Sequence, residues 1–282
     1  MSAAHNSPDQ KTDLHDFSGP LVLVGAGKMG TALLEGWLRF GLDPKNLAVI
    51  EPAPSPQISV LVERGIRLNA PAAVTDAAAI VVAVKPQIAG EVLPTLAPMI
   101  SARTMVLSIM AGRTLQFLAS ALPRSCALVR AMPNLPAAIG QGITVAMGKH
   151  ATSAERDLAD RLLAGAGAVE WIDDEELMDA VTAVSGSGPA YVFLLAEALA
   201  QAGANAGLSP VLAEKLARAT VVGSAELLHR SPLDPAALRQ NVTSPGGTTA
   251  AALEVLMGRN GLAALMKQAV AAATRRSREL AS

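Results

Sequence analysis

Three glycines near the start of the chain have the types and spacing of a phosphate-binding turn. Gly25, Gly27 and Gly30 occur in LVLVGAGKMGTALLEGW, a G-x-G-x-x-G pattern that follows a short apolar run and opens a helical one. In that setting the first glycine permits a tight turn, the second lets the backbone approach a pyrophosphate, and the third lets the helix pack on the strand. An ordinary tight turn is the alternative, and the strand-turn-helix context favours a dinucleotide site.

Glu51 ends the second apolar run, about 20 residues past the last glycine, where an acidic side chain can accept hydrogen bonds from both ribose hydroxyls of a dinucleotide. A 2′-phosphate would meet like-charge repulsion from this carboxylate, which favours NADH over NADPH. Arg64 or Arg67 could still turn towards such a phosphate. A solvent-facing glutamate at a strand end is the alternative interpretation.

Two later turns lie at the carboxyl edge where open sheets bind ligands. Lys85 emerges from an apolar run just before Pro86, so we expect it beside the cofactor unless it only solvates a strand end. The stretch SIMAG, residues 108–112, occupies the equivalent place after the next run. Its small Ala111 and Gly112 would let a nicotinamide lie close.

A second glycine-rich stretch, NVTSPGGTTAAALEVL, has the groups needed to hold a carboxylate. Gly246 and Gly247 are followed by Thr248 and Thr249 at the beginning of an apolar helical run. Free N–H groups there, together with these two hydroxyls and that of Ser244, can bind an anion with help from the helix dipole. A plain N-cap explains one threonine but not the whole string.

The inventory of acids and bases bears on the reaction. A dehydrogenase acting on an alcohol usually needs His or Lys to accept or donate the hydroxyl proton. Each of the four histidines can be explained as a surface residue instead. They are His5, His15, His150 and His229. No metal-ligand spacing is present, and the single cysteine, Cys126, excludes an internal disulfide framework. An imine can arrive already protonated, so reduction of a cyclic imine fits this inventory, whereas alcohol oxidation lacks its base.

The elements that must position these groups alternate between strand and helix. The apolar runs lack clean alternation, which predicts an α/β fold with a parallel sheet covered by helices on both faces. Strand candidates are residues 21–24, 47–51, 79–84, 104–109, 127–132 and 142–147, and helices are expected at 28–40, 55–65, 87–97 and 113–121. We predict a disordered tail over 1–17, a dinucleotide-binding domain over 18–172 and an all-helical domain over 173–282.

The helical region carries apolar residues on more than one face of its segments. Such a small domain has trouble covering that surface alone, so we expect it to pack against the same domain of a second subunit, with coverage by the first domain as the alternative. Its segments are 174–184, 189–205, 210–229, 246–257 and 260–280. The break VSGSGP before the second segment is explained equally well by close backbone approach or by a helix crossing.

Composition narrows the class of partner. The chain has 282 residues, 51% of them hydrophobic, and its 23 basic and 24 acidic residues give a net charge of -1. This balance indicates a small-molecule ligand rather than nucleic acid or a membrane surface. The first residues lack the apolar core of a signal peptide, and apolar runs are broken well short of about 18 residues. We therefore expect a soluble, cytoplasmic protein.

On these motifs the sequence resembles the pyrroline-5-carboxylate reductases. GAGKMG, AVKP, MPNLPAAIGQG, VSGSGPAY and NVTSPGGTT occur in that family's order and spacing, between residues 21 and 280. The resemblance implies an N-terminal Rossmann-type dinucleotide-binding domain and a C-terminal all-helical dimerisation domain that interlocks with its dimer mate to complete the active site. It also implies the last step of proline biosynthesis, in which NADPH or NADH reduces L-1-pyrroline-5-carboxylate to L-proline.

Carried over residue by residue, the resemblance implies roles for specific positions. Thr249 matches the threonine that hydrogen-bonds the ring nitrogen of the substrate, while Ser244 and the backbone of Gly246, Gly247 and Thr248 would take the carboxylate. The cofactor would contact Val24, Gly25, Ala26, Gly27, Lys28 and Met29, then Ala83, Val84, Lys85 and Pro86, then Ile109, Met110 and Ala111. Pro232 stands near the position at which some members carry a glutamate beside the substrate, so no role is carried over to it. Glu51 differs from the small polar residue of many members, in keeping with NADH.

Two other functions remain open at this point. A 3-hydroxyacid dehydrogenase of the related two-domain type would need a lysine on the helix after the interdomain glycines, but PAYVFLLAEALAQAGANAGL has none and the next is Lys215. The other is a nucleotide-sensing protein that has the same fold without turnover. The intact SPGGTT argues against it.

Overall fold

The structure, a computed structural model, describes residues 13–123, 126–148 and 151–281. Two compact units are distinguished within these ranges. The first takes the chain up to Gly186 together with its end from Arg275 onward, and the second is Ser187–Thr274. Residues 173–186 and the end of the last helix thus group with the first unit, whereas the sequence placed them in the helical domain.

The described part of the first unit contains one eight-stranded sheet. Its strands are β1 (Leu21–Val24), β2 (Leu47–Ile50), β3 (Arg67–Leu68), β4 (Ala79–Val82), β5 (Met105–Ser108), β6 (Ala127–Met132), β7 (Gly142–Gly148) and β8 (Gly167–Trp171). They lie in the order β3-β2-β1-β4-β5-β6-β7-β8. All neighbours pair parallel except β6 and β7, which are antiparallel. The first six strands have the spatial order of a doubly wound dinucleotide-binding sheet. In this order the connections run outward in opposite directions from the neighbouring strands β1 and β4.

Helices connect these strands. In the first unit they are α1 (Lys28–Arg39), α2 (Pro56–Leu61), α3 (Ala89–Val92), α4 (Leu115–Ala121), α5 (Ser153–Ala164) and α6 (Met178–Val181). The predicted helix 87–97 is mostly 3-10, with α3 between two such segments, because Pro94 and Pro98 remove N–H donors from the run. A single turn of π-helix, Thr182–Gly186, follows α6.

The core of the first unit lies on both faces of the sheet. Every residue of β1, β4 and β5 is buried. Leu21 and Leu23 belong to one apolar cluster, and Val22 and Val24 belong to a second on the opposite face. Burial on both faces explains why these runs lack alternation, and it confirms the predicted α/β class.

The chain start differs from the predicted tail. Leu14 is fully buried and Phe17 nearly so, in the same cluster as Trp37. The Leu14 N–H donates to Phe40 O over 2.8 Å, and Asn46 Nδ2 donates to Phe17 O. Residues 13–17 are therefore packed rather than disordered, because two apolar side chains in a polar stretch find room beside α1. Residues 1–12 lie outside the described part of the chain.

The second unit is helical throughout its described length. It contains α7 (Gly188–Asn205), α8 (Pro210–Arg230), α9 (Pro235–Asn241), α10 (Thr248–Leu256) and most of α11 (Leu262–Ala281). Within α7 no residue is buried, and in α8 only Ala213 and Ala217 are. In the single chain, large apolar side chains such as Phe193, Leu194 and Val222 are exposed to solvent.

One described helical run, Glu175–Asn205, is long and apolar enough to cross a membrane by length and composition alone. The glycines of VSGSGP predict a break in this run. They do not end the helical path, because the π-turn Thr182–Gly186 carries it from α6 into α7.

Candidate active site

The glycine turn between β1 and α1 is shaped by its three glycines. Gly25 has a left-handed φ of +93°, and a Cβ there would lie 2.8 Å from the Ala83 carbonyl oxygen. A Cβ on Gly30 would overlap the Gly25 carbonyl. At Gly27 a Cβ would meet nothing within 4 Å. The turn is thus tight against β4 and open at Gly27, so an extended phosphate group fits against its backbone.

The start of α1 can receive an anion. Its N-cap is Gly27, which has no side chain to cap the helix, and its first turn contains no acidic residue. The first N–H groups are therefore available, and the positive end of the helix dipole adds to them. Lys28 is the first residue of this helix. The residues present fit a dinucleotide pyrophosphate.

Glu51 is fixed beside this turn. Its Oε2 accepts from Ala26 N over 2.8 Å, and its Oε1 accepts from Ala53 N over 3.0 Å. Asn69, which has a left-handed φ of +52°, binds both backbone groups of Glu51 through its amide, each over 2.8 Å. The carboxylate is held within the dinucleotide turn and does not project freely into solvent.

The turns after β4 and β5 are tied together. Arg113 donates from Nε and Nη2 to the Pro86 carbonyl oxygen over 3.0 and 2.8 Å, and its guanidinium lies over the Phe117 ring at 4.7 Å. Arg113 directly follows the β5 loop, residues 109–112. In that loop Ile109 and Met110 are buried, whereas Ala111 is exposed. Lys85 is exposed at the other turn.

The SPGGTT loop in the second unit leads into α10 without a cap. Gly246 has a left-handed φ of +71°. The N-cap is Gly247, on which a Cβ would collide with Ser244 Oγ. The Ser244 and Thr248 side chains are exposed and that of Thr249 is half-buried. Within the described residues no side chain caps this helix, so its first N–H groups and three hydroxyls remain free for a ligand.

The described histidines are surface residues. His15 is exposed and bonds Asp13, and His229 is exposed in the last turn of α8. His5 and His150 fall outside the described residues. Hydrogen bonds from His15 hold the pKa of the Asp13 carboxyl below its ordinary value, and burial raises the pKa of the Cys126 thiol.

Sequence reasoning missed two polar groups that support the cofactor turns. One is Arg113, described above. The other is Glu175, which accepts from Arg130 Nη1 over 2.7 Å and from Leu115 N, at the start of α4, over 2.8 Å. A charged residue in the middle of the strand run ALVRAM was the available signal, because a buried arginine requires a partner.

The open glycine turn on a doubly wound sheet defines a protein of the class that binds a dinucleotide. A family model described as NADP oxidoreductase, coenzyme F420-dependent, matches residues 20–112, and a model described as pyrroline-5-carboxylate reductase dimerisation matches residues 175–280. A curated pyrroline-5-carboxylate reductase of Pseudomonas aeruginosa is 39% identical over 265 residues, which cover 93% of this chain and 96% of the relative. The chain belongs to the pyrroline-5-carboxylate reductase family.

Other comparisons agree. The reductase of Pisum sativum is 37% identical over 263 residues, covering 92% of this chain and 95% of its own. The solved reductase of Coxiella burnetii superposes with a TM-score of 0.86 at 31% identity, covering 94% of this chain and 99% of its own. The Plasmodium falciparum enzyme, solved with NADP bound, gives 0.79 at 30% identity over the same shares.

These findings confirm the predicted family, fold class and enzyme class. The chain is an NAD(P)H-dependent reductase of L-1-pyrroline-5-carboxylate, and neither the 3-hydroxyacid dehydrogenase nor the nucleotide sensor is favoured. The dimerisation match also covers the apolar run Glu175–Asn205 and the exposed faces of α7 and α8. Self-association accounts for this exposed apolar surface.

Proposed function

We propose that the SPGGTT loop binds L-1-pyrroline-5-carboxylate and that Thr249 orients its imine for reduction to L-proline. The observation that carries the proposal is the uncapped start of α10 beside three free hydroxyls. Ser, Thr, Asp or Asn often satisfies a helix start with its side chain, whereas Gly247 has no side chain to do so. A carboxylate ligand supplies the missing acceptors.

The carboxylate of the substrate is held by the backbone. The first N–H groups of α10, from Gly247, Thr248 and Thr249, are oriented along the helix axis and carry the positive end of its dipole. The Gly247 N–H also donates to Ser244 O over 3.1 Å. The hydroxyls of Ser244 and Thr248 add donors on the exposed side of the loop.

Thr249 holds the ring nitrogen. Its half-buried hydroxyl stands one residue further into α10, so a substrate anchored by its carboxylate presents the adjacent nitrogen to it. The imine can take its proton from solvent before it binds, so Thr249 acts by orientation and no strong acid is required. A bound nicotinamide supplies the hydride that the imine carbon accepts.

We also propose a preference for NADH. Both oxygens of Glu51 are bound by N–H groups of Ala26 and Ala53, so the carboxylate stays beside the glycine turn. A 2′-phosphate placed next to it would be repelled. Arg67, which could turn towards such a phosphate, donates from Nη1 to Ala73 O over 3.4 Å. The dinucleotide is contacted by Val24 to Met29, by residues 83–86 and by residues 109–111.

The proposed assembly is a homodimer, or a set of such dimers, formed through the second unit, in a soluble enzyme of the cytoplasm. The exposed apolar side chains of α7 and α8 support this assembly. The balanced net charge of -1 supports a small-molecule substrate rather than a nucleic acid or a membrane.

The test is an absorbance assay of NADH and NADPH oxidation with and without pyrroline-5-carboxylate. Thr249→Ala is expected to lower kcat/KM by roughly ten- to a thousandfold, as for the loss of one or two hydrogen bonds in a site. Thr274→Ala is the matched control, because its hydroxyl bonds Val270 O within its own helix. Unchanged kinetics for Thr249→Ala would remove its role, and cofactor binding without any oxidation would favour a sensor.

A further inference from the structure

The end of α11 packs on the β5 loop. Although most of this helix belongs to the second unit, its residues from Arg275 onward group with the first. Gly112, the last residue of the β5 loop, is buried with a left-handed φ of +72°. A Cβ at Gly112 would lie 3.3 Å from the Leu280 carbonyl oxygen and 3.7 Å from Leu280 Cβ. The last turn of α11 therefore packs directly against the β5 loop.

A polar contact fixes that turn. Ser277 Oγ donates to Asp179 Oδ1 over 2.6 Å, and Arg278 Nε lies 3.7 Å from Asp179 Oδ2. Ser277 is only 6% exposed and the Asp179 side chain 17% exposed, so the bond is shielded from water. Asp179 is in the first turn of α6. A shielded hydrogen bond to a carboxylate is a strong and directional one.

The other side of the β5 loop is already fixed. Ile109 N donates to Val82 O over 3.0 Å, and Arg113 holds the Pro86 carbonyl. Between these anchors lies Gly112, whose backbone is the most permissive in the loop. The contact with Leu280 is what limits the position of Gly112 from the outside.

We propose that Ser277 and Asp179 are positioning residues that hold the end of α11 on Gly112 and thereby set the β5 loop for hydride transfer. The inference rests on the proposed contact of residues 109–111 with the nicotinamide. Reaction rates depend on the placement of the reacting groups within about 1 Å. Binding of the dinucleotide depends mainly on the glycine turn and Glu51, which this contact does not touch.

The experiment is steady-state kinetics of Ser277→Ala with deuterated reduced cofactor. We expect kcat to fall about ten- to a hundredfold, the deuterium isotope effect on kcat to rise, and the cofactor dissociation constant to stay within about twofold. Ser277→Thr keeps the hydroxyl and should restore most of kcat. Ser120→Ala is the matched control, because that exposed serine bonds Phe117 O within its own helix.

A second variant approaches the same bond from its other side. Asp179→Ala should reproduce the loss, and the double variant should be no slower than Asp179→Ala alone, because each single variant already removes the hydrogen bond between the two side chains. The inference is overturned if Ser277→Ala matches the control, if cofactor affinity and Tm fall in step with kcat, or if the double variant shows the two losses multiplied.

Failure of the inference is separable from failure of the proposed function. An inactive wild-type enzyme would contradict the proposed function itself. An active wild type with fully active Ala111→Leu would show that the β5 loop does not meet the nicotinamide, which also overturns the role of Ser277. An active wild type that is impaired by Ala111→Leu but not by Ser277→Ala overturns the inference alone.

Discussion

Single residues set the chemistry, and Glu51 shows how firmly a side chain can be placed. Its two oxygens accept from Ala26 and Ala53, and Asn69 holds its backbone on both sides. Four hydrogen bonds therefore oppose any movement of this carboxylate away from the glycine turn. A 2′-phosphate placed there would face a negative charge that cannot readily move away.

Exchange of Glu51 is predicted to change cofactor preference. In Glu51→Gln the charge is lost but the acceptor for Ala26 is kept, so the ratio of kcat/KM for NADPH to that for NADH should rise about ten- to a hundredfold. Initial rates with both cofactors measure it. Glu63→Gln is the control, since Glu63 is an exposed carboxylate in the turn after α2. An unchanged ratio would mean that the charge of Glu51 does not select the cofactor.

Elements depend on partners that are distant in sequence. The start of α4 is satisfied by Thr114, which accepts from Phe117 N, and by Glu175, which accepts from Leu115 N. The same Glu175 oxygen neutralises Arg130, whose side chain is 5% exposed. A single carboxylate thus supports a helix start and a charge in the middle of β6.

Loss of Glu175 is predicted to destabilise the first unit. Glu175→Ala leaves the buried Arg130 charge without its partner, which should cost about 2–4 kcal/mol after allowance for the partial exposure of Glu175. The resulting fall in Tm should be several degrees, measured by calorimetry at fixed protein concentration. Glu176→Ala removes the exposed neighbouring carboxylate and should leave Tm unchanged. Equal Tm values for both variants would contradict this account.

Elements with a strong local signal could be predicted from sequence. The runs of β1, β4 and β5 are apolar because both faces of the sheet are buried there. The SPGGTT turn predicts the start of a helix. The two-residue β3 is too short for any pattern, and β8, which alternates between half-buried and exposed residues, gave too weak a run. The antiparallel pairing of β6 and β7 also could not be read from their composition.

The supporting contacts of the candidate site could not be predicted for a different reason. Arg113 and Pro86 are separated by 27 residues, and Glu175 and Leu115 by 60. Sequence shows which groups need partners, whereas the fold decides which partners they meet. The glycine turn could be predicted because its residues lie close together in the sequence.

The whole molecule exposes an apolar surface that a single chain cannot bury. Val222 on α8 is 64% exposed, and Phe193 on α7 is 60% exposed. Both lie in the residues matched by the dimerisation model. Because burial of such side chains drives association, we expect the second unit to gain stability from another copy.

A charge on this surface is predicted to weaken the assembly. Val222→Asp would bury an unpaired carboxylate in the contact, so the dissociation constant of the dimer should rise at least about a hundredfold. Sedimentation velocity across a dilution series measures the change. Val60→Asp is the matched control, because Val60 is 60% exposed in the first unit, outside the dimerisation match. A Val222→Asp protein that remains assembled at all dilutions would place the contact elsewhere.

The contact of Leu280 with Gly112 also affects how the chain folds as it is made. A ribosome delivers the strands of the first unit before the second unit, but the residues that pack on the β5 loop emerge after it. The nascent sheet can therefore form its strands long before it can complete its packing. A chain stopped at Thr274 would contain the glycine turn and SPGGTT but lack the turn that packs on the β5 loop, so the first unit is completed only after the second has been made.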